Sequence, residues 1–264
     1  MSVSACVITW NEEEMLPYQL KMFNKSKCIN EICILDSNST DSTQEILKKF
    51  VPAEGKVFKW DSVAFKGFGT QRNQCFEMAT SEWILYPDAD ETFCDIDAVL
   101  VDLPTMPHIN AITFPVYFMW GDRDHALAYS SNEFFGAGDR TTKMFRRGFA
   151  SFSNKQNCHE WLCDKSGRHL FGISAHDILG VAGHPKYGHV HIRHYQYLKS
   201  HEARLEKGRQ WDRTGMIAES ARVGAHVHVN YWADGPTNVR AAIAQGQHLV
   251  KEIPACCKEK FLGD

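Results

Sequence analysis

The first hundred residues predict an α/β fold built around a mainly parallel sheet. Short apolar runs alternate there with helix-like segments, the pattern of consecutive strand–helix units. The strand-like runs also end in residues suited to a ligand: Trp10 after the first, Asp36 after the second, and Asp88 after the run Trp83-Ile84-Leu85. Ligands of such sheets bind outside the carboxyl ends of the strands, so these three residues are expected to meet at one crevice.

The elements follow in order. Val3 to Thr9 reads as a first strand; the residues before it lack a basic stretch, so this end is not expected to be a signal peptide. A helix is expected from about Glu13 to Asn24, then a strand over Glu31 to Leu35. Ser39-Thr40-Asp41-Ser42 supplies N-cap candidates for a helix running through Gln44 to Lys49. Val57-Phe58 is a short third strand, Gln71 to Ala79 a third helix, and Trp83 to Tyr86 returns to the sheet. From Ala111 the character changes to aromatic strands, Ile112 to Phe118, Lys143 to Phe145 and His189 to His194, joined by long loops of the kind that form lids or acceptor sites. Helices are expected over His201 to Ser220 and Thr237 to Glu252. The organisation is therefore one domain over 1–200, split into halves 1–100 and 101–200, with a helical extension over 201–264.

Composition narrows the function. A chain of 264 residues with 44% hydrophobic residues can bury a sizeable core, and no apolar run approaches the ~20 residues needed to span a bilayer. A net charge of −3 gives no general attraction to nucleic acids or acidic membranes. Nine cysteines, an odd number without framework spacing, fit reduced thiols, and a cytoplasmic location is expected.

The chemistry centres on Tyr86-Pro87-Asp88-Ala89-Asp90-Glu91. Two carboxylates spaced i, i+2 at a strand end can hold a divalent cation against a diphosphate, and three acidic groups this close need positive charge or solvent to coexist. Arg72 opens a helix facing the crevice, where its planar fork suits a phosphate. His194 reads either as a contact to the metal or the diphosphate, since neutral imidazole is a good ligand, or as a structural histidine in an aromatic strand. Zinc is not expected: His189, His191, His194, His226 and His228, with Cys158 and Cys163, lack the paired short spacings of structural sites. The segment Arg140, Lys143, Phe145, Arg146, Arg147, Phe149, Phe152, Lys155 interleaves cations with aromatics; it reads as a strip for nucleic acid or as a strand with one buried face.

Several blocks carry a resemblance. Ser4 to Glu13, Glu31 to Thr43, Gln71-Arg72-Asn73 and Trp83 to Glu91 stand in the order and spacing of the family 2 glycosyltransferases, which have a GT-A fold. Lys143 to Gly148, His159-Glu160 and His194 to Tyr197 resemble the branch that includes lipopolysaccharide-core transferases. The resemblance covers about residues 3 to 211 and implies a nucleotide-sugar donor, Mn²⁺ or Mg²⁺, and inversion at the anomeric carbon. It implies that Trp10 stacks on the donor base, that Asp36 accepts hydrogen bonds from base or ribose, and that Thr9, Asn11, Arg72, Asp88 and Ala89 complete the donor site. Asp88, Asp90 and His194 are the expected metal ligands and Glu160 the expected base, with His159 or Asp139 as rivals.

A UDP-sugar donor and a saccharide acceptor lead, with single-sugar transfer preferred because Gln210-Trp211 lacks the spacing of processive enzymes. The alternatives are transfer to hydroxymethylated bases of viral DNA, motivated by the basic–aromatic strip, and a catalytically silent nucleotide-sugar binding module. A nucleotidyltransferase would carry a glycine-rich loop near the first strand, and Thr9-Trp10-Asn11-Glu12-Glu13 has no glycine.

Overall fold

A computed structural model describes residues 1–119, 125–127, 140–153, 161–170, 176–196, 198–213 and 250–252, and the structural statements below concern these. The chain runs β1 (Val3–Thr9), α1 (Leu16–Lys25), β2 (Ile29–Asp36), α2 (Thr43–Lys49), β3 (Val57–Ser62), α3 (Phe68–Met78), β4 (Trp83–Leu85), β5 (Glu91–Cys94) and α4 (Asp97–Leu100). There follow β6 (Ala111–Phe118), β7 (His125–Leu127), β8 (Arg140–Arg146), β9 (Ala150–Phe152), β10 (Leu162–Asp164), β11 (Ile178–Gly180), β12 (His191–His194), α5 (His201–Arg213) and β13 (Val250–Glu252).

The main sheet has nine strands in the order β3-β2-β1-β4-β8-β6-β12-β5, with β11 also beside β6. Pairings among β3, β2, β1 and β4 are parallel, as expected. Beyond β4 the sheet is mixed: β8 runs antiparallel to β4 and β6, and β12 lies parallel to β6 and antiparallel to β5. Strand β1 is buried on both faces. Val3, Ala5 and Val7 pack with Leu16, Leu20 and Phe23 of α1, while Cys6 and Ile8 on the other face meet Cys75 and Phe76 of α3. Each such aliphatic or Phe side chain contributes about 1.5–3 kcal/mol by leaving water, enough to hold α1 and α3 against opposite faces and fix the ends of β1 and β4. The six described cysteines are free thiols. Among the described residues no helix is long and apolar enough to cross a membrane.

Differences from the sequence expectation have local causes. Helix α1 begins at Leu16 instead of Glu13, because Pro17 sits in its first turn, where its fixed φ and missing N–H favour a start. Helix α3 begins earlier than Gln71, at Phe68, after Gly67 with φ 97°. The acidic motif lies in a turn after β4 and leads into β5, a strand the sequence did not signal because it is short and opens on a carboxylate. Within the helix expected over Thr237 to Glu252, Val250–Glu252 is instead a strand, paired antiparallel with β7; residues 237–249 lie outside the described residues, as do 214–220 of the helix expected over His201 to Ser220.

Candidate active site

A cleft of about 580 Å³ opens at the carboxyl ends of β1 and β4. Thr9, Trp10 and Glu12 come to it from the end of β1, Arg72 from α3, Asp88, Ala89 and Asp90 from the turn between β4 and β5, Lys143 from β8, and His194 from the end of β12. The opposite wall carries Phe65, Phe68, Phe152, Trp161 and Leu170.

The carboxylates are held apart by two sets of cations. Asp88 receives Arg72 Nη2 at 2.6 Å and Lys143 Nζ at 3.1 Å, and Lys143 also lies 2.8 Å from Glu91. Burial acts to raise the Asp88 pKa, but Lys143 and Arg72 outweigh it and keep the group ionised far below the usual carboxylate range. Glu91 is pushed up, first by burial and then by the charge of Asp88. Its Oε2 accepts the Asp88 N–H at 2.8 Å, and Gln19 Nε2 donates to the Asp88 and Glu91 carbonyls at 2.6 and 2.8 Å. Glu91 therefore ties the turn into β5.

Asp90 faces the other way. Its side chain is only 2% exposed, with Lys199 Nζ at 2.8 Å, His194 Nε2 at 3.3 Å and Lys207 Nζ at 3.5 Å. Burial opposes its ionisation, but Lys199, Lys207 and His194 hold its pKa well below normal. The same carboxylates act on His194: burial lowers its pKa, and Asp90 more than restores it, so the net direction is upward. Lys199 also bridges to Glu12 at 2.6 Å. Burial raises the Glu12 pKa, opposed by Lys199.

Two buried polar atoms of cleft-lining residues, Thr9 Oγ1 and Glu12 Oε2, meet no hydrogen-bond partner among the described residues. Such orphaned groups are costly in a folded protein unless a ligand or water satisfies them.

The structure thus brings Thr9, Trp10, Arg72, Asp88, Ala89, Asp90 and His194 together. It does not bring Asp36 or Asn11 to the cleft. Asp36 is fully buried and accepts from Ser39 N–H at 2.9 Å, Gln44 Nε2 at 3.0 Å, Ser62 Oγ at 2.9 Å and the Ser39 hydroxyl, so its carboxylate organises the loop after β2, and Ser37 lines the cleft. Asn11, at φ 50°, adopts a left-handed conformation that Asn tolerates better than most residues, and accepts the Thr40 N–H at 2.8 Å. Glu160, His159 and Asp139 lie outside the described residues.

Sequence reasoning missed Glu12, Lys143, Lys199 and Lys207 as site residues. Glu12 stands two positions after Trp10 and was legible as a strand-end group; nothing local marks the lysines. The described members of the basic–aromatic strip divide between buried positions and the surface, where Arg147 is exposed. Lys143 serves the site, Phe145 and Phe152 are buried, Arg146 pairs with Glu82 and covers the Trp83 ring at 4.6 Å, and Arg147 Nε donates to the Ser81 carbonyl at 2.8 Å.

Part of the chain is similar to known glycosyltransferases. A family model, glycosyl transferase family 2, matches residues 4–98. Residues 4–98, a little over a third of the chain, are thus similar to glycosyl transferase family 2. It is 38% identical over 94 residues to the SPbeta prophage-derived glycosyltransferase SunS of Bacillus subtilis (strain 168), a match covering 35% of this chain and 21% of SunS. It is 25% identical over 161 residues to the lipopolysaccharide core biosynthesis glycosyltransferase LpsC of Rhizobium meliloti (strain 1021), covering 61% of this chain and 56% of LpsC. The matches thus span a fifth to little more than half of these relatives' own lengths. In fold, the crystal structure of S. aureus TarS 1-349 in complex with UDP superposes with a TM-score of 0.50 at 15% identity, covering 94% of this chain and 92% of that one. The family 2 blocks at Ser4 to Glu13 and Trp83 to Glu91 are the segments that form the cleft floor.

Proposed function

We propose that this chain is a family 2 glycosyltransferase that transfers a single sugar from a nucleotide-sugar donor, a UDP-sugar, to a hydroxyl of a saccharide acceptor, with inversion at the anomeric carbon. The observation that carries the reading is one cleft in which Thr9 and Trp10 adjoin Asp88 and Asp90 at the ends of parallel strands. Trp10 offers a flat face to the base, and the orphaned Thr9 hydroxyl offers a polar contact beside it. Arg72 and Lys143 border the place where the diphosphate would lie.

The residues present fit a divalent cation. Glu12, Asp88, Asp90 and Glu91 are matched by Arg72, Lys143, Lys199 and Lys207, so the cluster has little surplus positive charge for an incoming diphosphate. Asp90 Oδ1 and His194 Nε2 are 3.3 Å apart, close to the ~3 Å between neighbouring ligands of a six-coordinate ion with bonds near 2.1 Å. Among the described residues no three His, Cys, Asp or Glu side chains form a metal cage, so Mg²⁺ or Mn²⁺ would need substrate phosphates to complete its ligands. Asp90 and His194 would hold it, while Asp88 is committed to Arg72 and Lys143. Such an ion supplies charge neutralisation for the departing nucleoside diphosphate.

The acceptor hydroxyl must lose a proton as it attacks, and Glu160 is assigned that role on the family resemblance. The nucleic-acid alternative rests on a strip whose described members are split: Lys143, Phe145 and Phe152 are buried, whereas Arg147 is exposed. Thermal-shift measurement against a panel of nucleotide sugars, with and without Mn²⁺, tests the donor. A ligand at a hundred times its Kd stabilises by about 2.7 kcal/mol. The reading fails if no nucleotide sugar raises the Tm with Mn²⁺ present.

A further inference from the structure

Three residues that follow β6 in the chain fasten themselves to Asp90, and a fourth among them is buried with its side chain unused. His194 Nε2 lies 3.3 Å from Asp90 Oδ1, and Lys199 Nζ lies 2.8 Å from Asp90 Oδ2. Between them the Tyr195 N–H donates to the Asp90 carbonyl at 2.8 Å, and the Tyr195 hydroxyl shares a hydrogen bond of 2.9 Å with Thr92 Oγ1. The Leu198 N–H then closes a turn on the Tyr195 carbonyl at 2.8 Å. Gln196 sits inside this clamp. It is 6% exposed and lines the cleft, and its side-chain amide has no hydrogen-bond partner among the described residues. An amide taken out of water costs stability unless a partner satisfies it, and the backbone on either side of Gln196 is already held without it.

We propose that Gln196 is a sugar-reading residue, whose amide hydrogen-bonds hydroxyl groups of the transferred sugar and so sets which nucleotide sugar is accepted. This rests on the donor reading above and deepens it with a residue beyond the matched residues 4–98. Position separates it from the nucleoside: Trp10 and Thr9 come from the end of β1, whereas Gln196 follows His194, the last residue of β12. The sugar is bonded to the phosphate that a cation on Asp90 and His194 would hold, so a side chain carried next to the Asp90-bound Tyr195 belongs to the sugar end of the donor. Chemistry selects the same ligand. Arg72, Lys143 and Lys199 supply charge for carboxylates and phosphates. Gln196 is neutral and offers two N–H donors and a carbonyl acceptor, the complement of neighbouring hydroxyls that each donate and accept. A site that hydrogen-bonds a substrate hydroxyl rejects the epimer that lacks it there, because its own buried polar group is then left unpaired.

The full chain and its Gln196→Leu and Gln196→Met variants are titrated by calorimetry, with Mn²⁺ present, against UDP, UDP-glucose, UDP-galactose and UDP-N-acetylglucosamine. Methionine is unbranched and covers the case in which leucine is not tolerated. Both variants are expected to keep the wild-type affinity for UDP, while the sugar nucleotide that wild type binds best loses roughly ten- to a hundredfold, the cost of leaving a sugar hydroxyl unpaired. The three sugar nucleotides should also draw together in affinity. The ligand-free Tm should stay at or above that of wild type, since no hydrogen bond among the described residues is removed; a fall in Tm marks a structural role and counts against the inference. Unchanged sugar-nucleotide affinities in the variants, or three sugar nucleotides bound alike by wild type, overturn it. An equal loss for UDP and the sugar nucleotides also overturns it, placing Gln196 at the nucleotide instead. A wild-type chain that binds neither UDP nor any of the three overturns the donor reading itself.

Discussion

Replacing Glu31 by Gln should destabilise the fold by about 2–3 kcal/mol at pH 7, and the loss should disappear in acid. Glu31 lies in β2 and is 3% exposed. It accepts from Lys59 Nζ at 2.5 Å, Thr80 N–H at 2.8 Å, Thr80 Oγ1 at 3.0 Å and the Ser4 hydroxyl, so one carboxylate ties β2 to β1, β3 and the turn before β4. Burial acts to raise its pKa, but the donors from Lys59, Ser4 and Thr80 lower it from 4.5 to about 2. At about 1.4 kcal/mol per pKa unit this is worth roughly 3 kcal/mol, trimmed by solvent screening of the half-exposed Lys59. The folded pKa is depressed, so the stabilisation is fully present above the unfolded value near 4.5 and is lost as the pH falls towards 2. Urea unfolding of both proteins at pH 7, 5, 4 and 3 measures it. A gap below about 1 kcal/mol at pH 7, or one that stays constant down to pH 3, would refute the reasoning, the first being no more than an exposed ion pair supplies.

Asp90→Asn should abolish the Mn²⁺-dependent stabilisation by UDP-sugars and lower turnover by orders of magnitude; it should also lower the Tm, because Lys199 and Lys207 lose a buried partner. Near-normal transfer with Mg²⁺ or Mn²⁺ would remove Asp90 from the metal site. Trp10→Ala should raise the donor KM more than it lowers kcat, since stacking on the base acts equally in ground and transition states; steady-state kinetics decide, and a fall confined to kcat contradicts it. Glu160→Gln should leave UDP-sugar affinity nearly unchanged and lower kcat by about 10²–10⁴-fold, with loss of the acidic limb of the pH–rate profile; unchanged turnover would shift the role to His159 or Asp139.

The parallel half of the fold was legible because local signals coincide there. Val3–Thr9 is apolar throughout and is a strand buried on both faces, and the Ser/Thr/Asp run before Gln44 does precede α2. The acidic turn was legible as chemistry, since three carboxylates in four residues demand positive charge. Which charges answer it was not. Lys143, Lys199 and Lys207 lie 55, 109 and 117 residues from their acidic partners and are brought there by β8, the turn after β12 and α5, and nothing in the flanking residues distinguishes them from surface lysines. Strand β5 escaped for a similar reason: Glu91-Thr92-Phe93-Cys94 is extended because β12 pairs with it, from Glu91 opposite His194 to Cys94 opposite His191. That pairing also sets His194 beside Asp90. Asp36 shows the converse, a strand-end carboxylate of the expected type whose oxygens are occupied by Ser39, Gln44 and Ser62.

The most direct test of the central claim is a crystal structure of the full chain with UDP and Mn²⁺. The account predicts the ion on Asp90 and His194, the diphosphate against it within reach of Arg72, and the uracil against Trp10 and the Thr9 hydroxyl. A nucleotide bound outside this cleft, or one bound within it while Asp90 stays paired to Lys199 and His194 with no ion between protein and phosphate, would contradict it.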